Sequence, residues 1–321
     1  MKNTEKKRIY AVVGPTASGK SGLALAIAER FGGEIISCDS MQIYRRMNIG
    51  TAKPTPSELR TVRHHMIDII EPSESFSCED YVRLASEAIE DCVGRGKLPI
   101  ICGGTGLYLD ALLRGGNSAP DISTDAPDIR AELTARAERE GAEAIHKELM
   151  AVDPESAVAI HPNNVKRVIR ALEIYRACGV TKTELDRRSR EFESPYDALV
   201  VGLRYNDRSI LYRRIEERVD IMLREGLLEE TKALFDEGVF EVNSTAAQAI
   251  GYKELLSYLR GDEDLYTAVE TLKTATRRYA KRQMTWFSAK PYVKWIDMEF
   301  DGRVRSFEEI VNNGAELFSL A

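Results

Sequence analysis

Residues 9–21 read Ile9-Tyr10-Ala11-Val12-Val13-Gly14-Pro15-Thr16-Ala17-Ser18-Gly19-Lys20-Ser21. A buried-strand pattern runs straight into a glycine turn, and helical periodicity follows from Lys20. Gly14, Pro15, Thr16, Ala17, Ser18, Gly19, Lys20 and Ser21 match G-x-x-x-x-G-K-[ST], with the strand before and the helix after that this phosphate loop requires. The glycines let backbone N–H groups turn inward around phosphate oxygens, and the helix N-terminus adds partial positive charge. Lys20 supplies a full charge, and the Ser21 hydroxyl is the candidate ligand for Mg²⁺. The loop specifies a di- or triphosphate without saying which.

Outward from the loop, the helix of residues 20–31 stops at Gly32-Gly33. Short apolar runs predict strands at residues 34–38, 98–102, 198–203 and 292–296, and residues 79–93 have helical spacing. Strands alternating with helices imply an α/β fold, a P-loop NTPase-like parallel sheet core flanked by helices. From residue 125 to 190 only helices are expected, so an all-helical insertion domain interrupts the core. The expected division is residues 1–120 as the first part of the core, 121–195 as the insertion, and 196–321 as the second part with a basic C-terminal helix. Charge in the insertion is divided: residues 121–155 carry 10 acids and 4 bases, residues 163–190 carry 8 bases and 3 acids. The second half reads either as a face for a polyanion or as a solvated helix face.

The 321 residues are 43% hydrophobic and 30% charged, which allows a core domain plus a second lobe. A net charge of −6 argues against a generic DNA coat but leaves room for a local basic surface. The apolar run at 9–13 is too short for a signal-peptide core, and no stretch is long enough to span a membrane. Cys38, Cys78, Cys92, Cys102 and Cys178 are scattered without a C-x-x-C pair. Reduced, buried or half-buried thiols in a cytoplasm are expected, with no cysteine-based zinc site.

Side chains at the carboxyl ends of parallel strands face the ligand crevice. Asp39, after the strand at 34–38, is one of them. It reads as a group facing whatever sits over the phosphate loop, as a magnesium ligand, or as a cap for the following turn. Gly103-Gly104-Thr105-Gly106 follows the strand at 98–102 and is either a close approach to a ligand or a plain tight turn. Residues 276–290 carry Arg277, Arg278, Lys281, Arg282 and Lys290 and no acid. Like charges four apart on a helix repel, so this stripe calls for an anionic partner or nearby carboxylates, the alternative being a solvated helix face. Tyr279, Trp286 and Phe287 within it are expected to face the core.

Taken together, GPTASGKS, DSMQIYRRMNIGTAKP, HHMID, GGTGLYLDALL, HPNNVKRVIRALEIY, QAIGYKE and TRRYAKRQMTWF resemble, in order, the motifs of tRNA dimethylallyltransferases, from about residue 9 to about residue 296. The chain ends without the zinc finger of the longer eukaryotic members and so resembles the bacterial form. The resemblance implies that the phosphate loop holds dimethylallyl diphosphate with Mg²⁺. It also implies that the acceptor is N6 of adenine 37, beside the anticodon of tRNAs reading codons that begin with U. By the same resemblance Asp39 is the general base and Thr105 contacts the reacting region. Asp39, Ser40, Met41, Gln42 and Thr105 contact tRNA, as do Asn163, Asn164, Val165, Lys166 and Arg167, and residues 123–128 lie at the tRNA surface. Arg213, Arg214, Arg278, Lys281 and Arg282 are candidates for phosphate contacts. No obligate protein partner and no membrane partner are implied. Competing classes for the loop alone are a small-molecule kinase using ATP and a non-enzymatic RNA-binding NTPase.

Overall fold

The computed structural model describes residues 6–115, 126–191, 193–242 and 245–319. β1 (Lys7–Val13) leads through the phosphate loop into α1 (Lys20–Phe31), and β2 (Gly33–Ser37) follows. The short helix α2 (Pro56–Thr61) precedes a two-residue strand, β3 (His64–His65). Then come α3 (Cys78–Gly94), β4 (Leu98–Gly103) and α4 (Gly106–Leu113). A helical stretch contains α5 (Pro127–Glu140), α6 (Ala142–Val152), α7 (Pro154–Ala159), α8 (Val165–Cys178) and α9 (Lys182–Glu191). The chain resumes with β5 (Tyr196–Arg204), α10 (Arg208–Arg224), α11 (Leu227–Asp236), α12 (Val239–Val242), α13 (Tyr252–Leu259) and α14 (Leu265–Ser288). It closes with β6 (Val293–Asp297), the small antiparallel pair β7 (Glu299–Phe300) and β8 (Arg303–Val304), and α15 (Phe307–Ser319).

Six strands form one sheet in the order β3-β2-β4-β1-β5-β6, with every pairing parallel. β1 is central and its residues alternate between two cores. Tyr10 and Val12 pack with Leu23, Ile27 and Val201, whereas Ile9, Ala11 and Val13 pack with Ile36, Ile101 and Leu109. Both faces are covered, so the strand reads as an unbroken apolar run with no polar alternation. The sequence did not foretell β3 or the β7–β8 pair. Two-residue strands carry no periodicity, and β3 exists because His64 and His65 meet Ile35 and Ile36 at the sheet edge.

The chain divides into two compact units, Met1–Leu113 with Pro195–Ala321, and Arg114–Ser194. The second unit has its own core, including Leu133, Ile145, Leu149, Val168 and Leu172. Its buried Glu173 accepts from Arg130 and from the Ala126 N–H. Buried Asp153 accepts from the Ser156 N–H and from Thr183, joining α7 to the start of α9. Residues 116–120, at the expected domain boundary, and 123–125, expected at an RNA surface, lie outside the described residues. No described helix is long and apolar enough to cross a membrane. Cys38, Cys92 and Cys102 are buried and Cys78 and Cys178 half-buried, as expected.

On β2, Glu34 is buried and accepts from Arg95, from His65 and from the Cys92 thiol. Glu34, His65 and Cys92 bring ligand-type atoms within 4.8 Å of one another. The Arg95 guanidinium already engages both carboxylate oxygens, and burial pushes the Cys92 thiol up to about 12, so the cluster reads as an ion-pair knot rather than a metal centre. The Arg95 hydrogen bonds hold the Glu34 carboxyl down to about 2, against the opposing effect of burial. A depressed carboxylate stabilises the fold above its unfolded value of about 4.3 and loses that contribution as pH falls through the folded value. Urea unfolding at stepped pH should therefore show stability falling between roughly pH 4.3 and pH 2. Arg95→Met should flatten that acid limb and lower stability at neutral pH, by less than the loss of a fully buried pair because the Arg95 side chain is 36% exposed.

Candidate functional site

β1 ends at Val13 and the chain turns through left-handed backbone at Ala17 (φ 62°) and Gly19 (φ 94°), the alternation that points successive N–H groups into one concavity. Gly14 permits the turn: a Cβ there would lie 2.9 Å from the Leu203 carbonyl oxygen. No side chain caps α1, so its first N–H groups are left for a ligand. The Ser18 hydroxyl is fully buried with no hydrogen-bond partner among the described residues, as suits a group that meets a phosphate oxygen. Lys20 Nζ lies 3.4 Å from the Pro15 carbonyl oxygen. Burial lowers its pKa; Arg218 adds to the fall, while Cys102 and Asp39 oppose it.

The loop opens on a cavity of about 970 Å³, which Asp39, Arg218, Tyr279 and Arg282 also line. This is the upper end of the range for small-molecule sites and leaves room for more than one reactant group. Asp39 Oδ1 accepts the Met41 N–H at 2.9 Å, so the cap foreseen from the sequence is present while the carboxylate still faces the cavity. Thr105 follows β4. Its N–H donates to the Cys38 carbonyl, its Oγ1 accepts the Ser40 N–H at 3.1 Å, and the Tyr279 hydroxyl lies nearby. Asp39, Ser40 and Thr105 thus form one surface across from the phosphate loop. The Ser21 hydroxyl and the Asp39 carboxylate, both lining the cavity, are oxygen donors of the kind Mg²⁺ takes.

The remaining expected residues separate by environment. Gln42 lines the cavity, but its carboxamide accepts from Ser37 and donates to the Thr51 and Ala52 carbonyls, bracing the loop. Met41 packs partly into a satellite core with Ile43 and Tyr44. Arg214 donates from Nε to the Ala17 carbonyl within the phosphate loop. Arg213, Arg278 and Lys281 are exposed, and Arg282 lies over the Tyr279 ring at 5.6 Å. In the helical unit, Asn163, Asn164, Lys166 and Arg167 are exposed and Val165 is half-buried at the start of α8.

One expectation needs correction. Of the three aromatic residues assigned to the core, only Phe287 is buried. Tyr279 faces the cavity, with its hydroxyl beside Thr105, and Trp286 is 36% exposed beside Gly106. The basic stripe has nearby carboxylates of the kind expected: Arg277 pairs with Glu216, and Lys290, beyond the end of α14, pairs with buried Asp110. Arg218 was missed. It faces Asp39 and makes no hydrogen bond among the described residues; burial, with Arg214 adding, lowers its pKa against the pull of Asp39. The available signal was its spacing, four residues after Arg214 on one helix face.

The IPP transferase family model matches residues 42–290 of the chain. A tRNA dimethylallyltransferase of Halalkalibacterium halodurans is 48% identical over 309 residues, covering 95% of this chain and 97% of the relative. The structure of the full-length tRNA isopentenylpyrophosphate transferase of Bacillus halodurans superposes with a TM-score of 0.70 at 46% identity, covering 98% of both chains. A eukaryotic dimethylallyltransferase acting on tRNA superposes with a TM-score of 0.79 at 29% identity, over 98% of this chain and 78% of that one. The family model covers more than half of the chain and the relatives match it over nearly its whole length, so the chain belongs to the IPP transferase family.

Proposed function

We propose that this chain transfers a dimethylallyl group from dimethylallyl diphosphate to N6 of adenine 37 in tRNAs reading codons that begin with U. The observation that carries this reading is a buried anion cradle with two cations, Lys20 and Arg218, sharing one cavity with Asp39. An adenine N6 amine is a weak nucleophile because its lone pair is delocalised into the ring. Asp39 accepts its proton as the N6–carbon bond forms and the allylic carbon–oxygen bond to diphosphate breaks. The loop N–H groups, Lys20 and Arg218 stabilise the charge that develops on the leaving diphosphate. When bound, Mg²⁺ neutralises part of that same charge, and Ser21 would hold it. The base leaves its stack to reach the cavity, a smaller cost in a single-stranded loop than in a duplex. Asp39–Gln42, Thr105 and residues 163–167 are read as tRNA contacts, and Arg213, Arg278, Lys281 and Arg282 as phosphate contacts. Incubation with dimethylallyl diphosphate, Mg²⁺ and bulk tRNA, followed by nucleoside mass analysis, tests the reaction; no N6-(dimethylallyl)adenosine would refute it.

Asp39→Asn keeps the cap to Met41 but cannot take a proton. Single-turnover transfer should fall by roughly 10²–10⁴ with little change in substrate binding. Weakened donor binding rescued by extra Mg²⁺ would make Asp39 a metal ligand instead. Arg218→Met should weaken inorganic diphosphate binding by about 10-fold or more, as a lost charge-assisted hydrogen bond does, while Arg213→Met on the exposed face should have little effect. Calorimetry on both variants makes the comparison. Affinity for tRNA should fall with salt, and replacing Lys166 and Arg167 by Gln should reduce that slope by about 1–2 in log–log form while donor binding stays intact. An unchanged slope moves the RNA surface elsewhere.

A further inference from the structure

Gln283 is a buried polar side chain on α14 that none of the roles above uses. Its Oε1 accepts the Thr16 backbone N–H at 2.8 Å, and its Nε2 donates to the Gly104 carbonyl at 3.1 Å. One carboxamide therefore joins the phosphate loop to the turn that carries Thr105. A primary amide is suited to this span because it offers an acceptor and a donor at once, whereas a carboxylate offers acceptors alone. The approach is close: a Cβ on Gly104 would lie 2.0 Å from Gln283 Nε2, so glycine at 104 is a condition of the bridge. One helical turn earlier, Tyr279 lies beside the Thr105 hydroxyl, and Thr105 accepts from the Ser40 N–H next to Asp39. Adjacent turns of α14 thus meet the phosphate loop and the Gly104–Thr105 turn, while Arg278 and Lys281 on the same helix stay exposed.

We propose that Gln283 is a positioning residue whose carboxamide sets the separation between the donor diphosphate and the acceptor side formed by Asp39 and Thr105. The inference rests on the transfer reaction proposed above. Misplacement of reacting groups by an ångström costs rate far more than it costs binding. A purely structural role predicts the opposite pattern, a loss of stability with rate and affinity following it.

The test compares Gln283→Met, which keeps volume and loses both bonds, with Gln283→Glu, which keeps an acceptor for Thr16 and loses the donor to Gly104. Single-turnover transfer from dimethylallyl diphosphate to a tRNA transcript is measured at saturating substrates, with KM for both substrates and thermal melting. Gln283→Met should lower the rate by about 10²-fold with both KM values within about threefold, and Gln283→Glu should fall between it and wild type. A Gln283→Met rate within twofold of wild type overturns the clamp, as does a loss of rate, affinity and melting temperature together. If the wild type itself transfers no dimethylallyl group, the proposed reaction fails and the positioning role with it; an active wild type with an unaffected variant sinks the clamp alone.

Discussion

Positive charge held where water is sparse is the condition around which the core unit is arranged. Burial lowers the proton affinity of both Lys20 and Arg218, and Asp39 is the carboxylate that faces both. One carboxylate is a partial counterweight, whereas a diphosphate brings more charge and more acceptor oxygens. The uncapped start of α1 adds to the same field. The parallel sheet makes this convergence possible. β1, β2 and β4 are neighbours running the same way, so the residues after Val13, Ser37 and Gly103 emerge along one edge. Three loops far apart in sequence then share one cavity.

α14 shows how one helix serves three environments. Ala280 and Phe287 pack into the two cores that cover the sheet, Tyr279 and Gln283 reach the cavity loops, and Arg278 and Lys281 remain in water. The 3.6-residue repeat sorts these positions onto different faces. The repulsion expected along its basic stripe is relieved in part by Glu216 on α10, which takes Arg277. An acidic chain can therefore still present cations. In the helical unit the same logic applies: Arg176 takes Glu132 and Glu148, and Arg130 takes Glu173, while Lys166 and Arg167 form no ion pair among the described residues. Net charge says little about such a surface, because pairing decides which charges are left to act.

The fold was legible where the chain repeats a pattern over several residues. The run at 9–13, the loop that follows and the helix from Lys20 to Phe31 announce themselves, and all the longer strands of the sheet were foreseen. β3 was hidden because two histidines carry no strand period. Asp39 was marked by its place after a strand, yet the sequence left its role divided among base, ligand and cap. The structure shows the cap bond to Met41 and the exposure to the cavity together. Nothing in the sequence signals that the Gln42 carboxamide also braces its own loop, because that depends on Thr51 and Ala52 folding back to meet it.

By itself the sequence determined the local pieces: the phosphate loop, the direction of the core strands, the helical insertion and the position of Asp39 at a strand end. These depend on neighbours within a few residues, where spacing and backbone chemistry act directly. Only the tertiary structure decided which distant groups complete the site. Arg214 reaches the loop at Ala17 across a separation of 197 residues, and Gln283 reaches Thr16 across 267. Arg218 gained its meaning the same way, once α10 lay against the cavity. Side chains that far apart in sequence leave no shared period to read, and packing of the helices on the sheet is what brings them within hydrogen-bond reach.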